Sequence, residues 1–189
     1  MVSLHAVDTA VAHIGRHIER VRRKTMFFKK KISVEDYCTR NFTLLLSKER
    51  AAVWETLRQA CNDSALSAID AQLYYDHLRA AFIQLMLIAV AKSCKMDTSL
   101  DAHVFAQMYL KQQNHSEISE IAEGYSQAFA SSGLAPNRDG VTEMVAHFAG
   151  VLTADKLQQA TIEQLYVEFY AILKMFFDDF KSIKLVPSR

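Results

Sequence analysis

Glycine and proline are nearly missing from this chain: five and two among 189 residues, roughly a third of a usual joint share of about 12%. Without those residues the many tight hairpins of an all-β protein are hard to build, so helices joined by short polar links are expected. Cysteine is also sparse. Cys38, Cys61 and Cys94 stand far apart, odd in number and without a C-x-x-C pair. That excludes a secreted disulfide framework and fits a reducing cytoplasm. No apolar run reaches the roughly 20 residues of a bilayer span; the longest, Ala80 to Ala91, is interrupted by Gln84.

Catalytic and cofactor signatures are missing as well. The glycines at 15, 124, 133, 140 and 150 are too dispersed for a phosphate-binding loop. The G-x-S-x-G and H-E-x-x-H patterns are absent. No histidine follows a glutamate by three residues, so the Glu-x-x-His set of di-iron bundles is excluded. His13 and His17, i and i+4 on one helix, have no third ligand; Glu143 and His147 read as a helix charge pair. No metal or cofactor is expected, and the balance leans away from an enzyme.

What is present is apolar residue in helical rhythm. Half of the chain is hydrophobic and 23% is charged, which excludes a disordered protein. The pattern predicts an all-α, single-domain bundle of seven or eight helices (residues 32–189), preceded by a basic, helical, coiled-coil-like arm (residues 1–31). The arm carries Leu4, Val7, Val11, Ile14, Ile18 and Val21 at spacings of 3 and 4, a narrow seam that calls for one partner helix. That partner is in the same chain, in a second copy or in another helical protein. Met26 offers an alternative start, which would make the first 25 residues an extension.

Ser33 is the expected cap of a helix with Val34, Tyr37, Cys38, Asn41, Leu44 and Leu45 on one face. Ser47 opens a helix bearing Trp54. Residues 68–93 form the predicted core helix, apolar on nearly every side from Ala80 onward. Asp97 or Ser99 opens a helix whose apolar residues are Val104, Phe105, Met108 and Tyr109. Ser116 opens the next, and a loop spans 131–140. A short helix breaks near Gly150, and Thr153 caps a last helix running to about Lys184.

Three functions follow as expectations. The first is a non-enzymatic interaction module (an adaptor, regulator or immunity-type factor), self-associating through Val7, Val11, Ile14, Ile18 and Val21. The second uses the basic run Arg22, Arg23, Lys24, Lys29, Lys30 and Lys31 to bind nucleic acid or an anionic membrane surface. Residues 1–31 hold eight Lys/Arg against two carboxylates, a net +6, whereas the remainder holds fourteen against nineteen, a net −5. That acidic body weighs against nucleic acid. The third is a small-molecule pocket lined by Asp70, Tyr74, His77 and Gln84, because Asp70, His77 and Gln84 recur every seven residues along one helix face.

Overall fold

A computed structural model describes residues 29–60, 63–131, 139–153 and 157–187. These form β1 (Lys30–Ser33), α1 (Val34–Leu45), α2 (Lys48–Ala60), α3 (Ser64–Ala68) and α4 (Ala71–Ser93). They continue through α5 (Met96–Gln112), α6 (Ser116–Ser131), α7 (Gly140–Leu152), α8 (Gln159–Ser182) and β2 (Ile183–Val186). The fold is an all-α bundle of eight helices among the described residues, with one small addition. No described helix is long and apolar enough to cross a membrane. The arm seam, the His13/His17 pair, Arg22, Arg23 and Lys24 lie outside the described residues, as does most of the 131–140 loop.

α4 is the axis of the bundle. Its 23 residues run about 35 Å, and every residue from Ala80 to Val90 is buried. α5, α6, α7, α8, α1 and α2 all pack against it. Asp70 opens α4 by accepting a hydrogen bond from Leu73 N at 3.0 Å. The helix therefore begins three residues later than the pattern placed it, capped by Asp70, while Ser67 lies inside α3.

Other boundaries also differ from expectation. Ser33 caps α1 as predicted, accepting from Asp36 N at 3.0 Å. The buried face, however, takes Phe42 rather than Leu44. At 100° per residue Leu44 stands about 90° from the centre of that face and Phe42 about 70°. α5 opens at Met96 behind Lys95, with no side-chain cap, rather than at Asp97 or Ser99. Gly150 does not end α7, which continues to Leu152, and Thr153 is the C-cap of that helix. The N-cap of α8 is Gln158.

α8 stops at Ser182 because Ile183 turns extended, and Ile183–Val186 pair in parallel with Lys30–Ser33. The last helix is thus shorter than predicted, and its final residues tie the two ends of the described chain together. The scarcity of glycine is met locally. Asn114 takes the left-handed conformation (φ 57°) at the end of α5. His115 N donates to Leu110 O and Asn114 N to Lys111 O, a glycine-type helix stop made by asparagine.

Two polar hubs fasten the helices. Arg58 binds Glu55 through two nitrogens and donates to the carbonyls of Leu66, Ser67 and Ile69, so it caps the C-terminus of α3 from α2. The Arg58 guanidinium and the Tyr75 hydroxyl hold the Glu55 carboxyl down at about 2.

Asp63 is buried and accepts four hydrogen bonds. Oδ1 takes Ala65 N and Leu66 N of α3; Oδ2 takes Gln158 N at 2.8 Å and the Thr161 hydroxyl at 2.7 Å, at the start of α8. Burial pushes its pKa up, but these donors outweigh it and keep the group below the usual carboxylate range. Asp63→Ala is expected to cost about 2–4 kcal/mol, since it uncaps two helices and strands buried donors. In thermal melts at pH 7 that is a fall of roughly 5–15 °C. A lowered carboxylate pKa supplies stability above about pH 4 that is lost as pH falls through it, so the difference between wild type and variant narrows on acidification.

Candidate functional site

The four residues expected to line one pocket stand along α4 in different surroundings. Asp70 is an exposed N-cap at the start of α4. Tyr74 is buried, edge-on to Phe148, with the Arg58 guanidinium 5.8 Å from its ring centre. His77 is buried, and its Nδ1 is 3.0 Å from the Tyr125 hydroxyl of α6. Gln84 is buried two turns further along. None of them lines the clefts described below.

Two residues outside the predicted set complete this cluster. Tyr125 lies between His77 and His147 of α7, its ring 4.9 Å from that of His147 and nearly perpendicular to it. Gly124 makes the approach possible: a Cβ there would stand 2.8 Å from His147 Nε2. Burial lowers the pKa of His77, with repulsion from His147 adding to it and Asp76 opposing, and burial lowers that of His147. Burial also holds the Tyr125 phenol well above its usual range. All three groups are neutral near pH 7, and the cluster, with His77 and Tyr125 buried and His147 half-buried, links α4, α6 and α7. Among the described residues no three His, Cys, Asp or Glu side chains are grouped to hold a metal. Burial pushes the Cys38 thiol up to about 12 and raises that of Cys94, where Lys29 opposes the shift.

The described part of the basic run sits at the small sheet. Lys30 and Lys31 are exposed on β1, and Lys29 Nζ donates to Phe180 O at 2.5 Å. A cleft of about 360 Å3 places Lys30, Lys31 and Arg40 opposite Asp36 and Asp179. A second, of about 570 Å3, gathers Lys29, Lys95 and Lys184 with Asp97. The fold thus adds three cations from distant segments to the run, each set interleaved with carboxylates.

The outer face of α5 is the most unusual surface. Met96, Leu100, Val104 and Met108 recur every four residues with exposures of 86%, 63%, 49% and 54%. Leu100, Asp101, Val104, Phe105 and Met108 form a shallow groove of about 290 Å3. The opposite face, Thr98, Ala102, Ala106 and Leu110, is buried. An ordinary surface helix turns its large apolar residues inward; here Leu110 is the one large apolar residue on the buried face, while four others stand outside. Hydrophobicity alone places Val104 and Met108 in the core. The overlooked signal is Ala102 and Ala106, which allow close approach of α1, α4 and α6 to this helix. A second apolar groove, about 550 Å3 between α7 and α8, is lined by Val145, Ala146, Ile162, Tyr166 and Val167 among others.

No family model, curated protein or solved structure matches the chain.

A base with a lowered pKa supplies stability that is complete above its ordinary value near 6.5 and is lost as pH falls through the lowered one. Urea denaturation is therefore expected to show lower stability at pH 5 than at pH 7.5. The double variant His77→Gln/His147→Gln should be less sensitive to that change. An equally steep fall in the variant would assign the acid sensitivity elsewhere.

Proposed function

We propose that this protein is a non-enzymatic helical interaction module that docks helical surfaces, a second copy of itself first among them, on the outer face of α5. The observation that carries this reading is the exposed line Met96, Leu100, Val104 and Met108. Four large apolar side chains at four-residue spacing form one ridge, the arrangement by which helices pack into one another's grooves. Contiguous apolar surface of this kind is uncommon on a protein without a partner. The hydrogen bond that joins His77 to Tyr125 inside the core supports the same reading, because it leaves that pair a structural link rather than an exposed base.

The test is Leu100→Asp/Val104→Asp, two exposed substitutions each expected to change stability by no more than about 0.5 kcal/mol. In sedimentation velocity, the wild-type mass should rise with concentration from micromolar to sub-millimolar protein, and the variant should remain a monomer. Association surviving in the variant would refute the reading.

One observation favours a second reading, a polyanion-binding surface: Arg40, Lys95 and Lys184 join Lys29, Lys30 and Lys31 around the sheet. Binding of a single-stranded oligonucleotide at low salt should then weaken several-fold in Lys95→Glu/Lys184→Glu and disappear at high salt. No binding at low salt would remove it.

A further inference from the structure

We infer that the α5 ridge is covered, in the resting protein, by residues 4–21 of the same chain, laid antiparallel along it. This rests on the reading of α5 as a helix-docking face and adds what occupies that face.

The first argument is where the described chain begins. Lys29 lines the same cleft as Lys95, Asp97 and Thr98, and it is anchored there by Phe180 O. The polypeptide therefore enters the bundle beside the first turn of α5, on its Thr98 side, at the same end of the helix as Met96, where the exposed ridge starts. Seven residues, 22–28, separate this point from the last seam residue, Val21. Extended, they reach about 25 Å, ample for a reversal of direction.

Length and pattern agree. As a helix, Leu4 to Val21 would measure about 26 Å, and the 17 residues of α5 measure about the same. Run antiparallel from the α5 N-terminus, the seam sets Ile18 opposite Leu100, Ile14 opposite Val104 and Val11 opposite Met108. The seam and the ridge are each too narrow to be buried by more than one helix.

Charge agrees with the same direction. Asp97 and Asp101 stand in the first two turns of α5, so in this arrangement they would face Arg20, Arg22 and Arg23 at the end of the arm, with Glu19 and Lys95 opposing. Lys111 in the last turn of α5 meets Asp8 near the start of the arm. The parallel arrangement would bring Asp8 toward Asp97 and the arginines toward Lys111. More broadly, residues 1–31 carry +6 and the remainder −5.

A seven-residue tether gives the arm an effective concentration on the order of millimolar at its own α5, so the intrachain seat is filled before a second copy competes. The arm is then a built-in competitor: another helical surface gains α5 only as the arm leaves it.

The experiment uses the full chain with the photoreactive residue p-benzoylphenylalanine at position 104, as an equimolar mixture of unlabelled and 15N-labelled protein. Irradiation should join position 104 to residues 11–18 in peptides of unmixed isotope composition. Mixed peptides would place a second copy's arm on the ridge and overturn the inference, as would crosslinks that avoid residues 4–21. Independently, Ile14→Asp/Ile18→Asp should strengthen self-association several-fold by freeing α5; unchanged or abolished association would overturn it. Should Leu100→Asp/Val104→Asp abolish association while the crosslinks avoid the arm, α5 keeps its role and only this occupant is lost. If that pair leaves association unchanged, the docking reading falls, and the isotope pattern still decides where the arm sits.

Discussion

A helix apolar on every side has no face to give to water, so its burial dictates how many neighbours the fold must supply. From Ala80 to Val90 α4 is such a helix. At roughly 25 cal/mol per Å2, leaving even two or three of its large side chains wet would cost several kcal/mol, comparable with the whole stability of a domain. α5, α6, α7 and α8 close around it, with α1 and α2 completing the enclosure. Short connections make this practical. Only Cys94 and Lys95 separate α4 from α5, and the Asn114 stop turns α5 into α6 within three residues.

Enclosing α4 leaves the polar groups of the helix ends to be satisfied in crowded surroundings. Asp63 does so for two helices at once, and Arg58 supplies donors to three carbonyls at the end of α3. Both are ionised groups that receive or give several hydrogen bonds, so their desolvation is offset locally. His77 and Tyr125 serve similarly inside the core, joining α4 to α6 where an unpaired ring nitrogen would cost about 1–3 kcal/mol.

The bundle and its axis were legible in the sequence because they rest on local rhythm. The three-to-four spacing of apolar residues and the cap at Ser33 act within a few positions of themselves. What was illegible depends on pairing across the chain. β1 and β2 are four residues each, too short to carry a signal, and they meet across about 150 positions. Asp63 reads as a turn residue until Thr161, 98 positions on, donates to it. His147 sits i+4 from Glu143 and so resembles half of a surface pair, whereas its proximity to Tyr125 depends on Gly124.

The inward face of α5 was not legible for a more instructive reason. Periodicity locates a face but does not say which of two faces is inward when both are apolar. Size decides it: Ala102 and Ala106 let the neighbouring backbones come close, while Met96, Leu100, Val104 and Met108 would force them apart. Evicting those four side chains permits tight packing around α4 at the cost of an apolar ridge in water. The constraint that organises the core therefore also creates the surface from which the proposed function is argued. Asp97 and Asp101 outweigh Lys95 at one end of that ridge and Lys111 stands at the other, a charge difference that would give a covering helix a direction as well as a place.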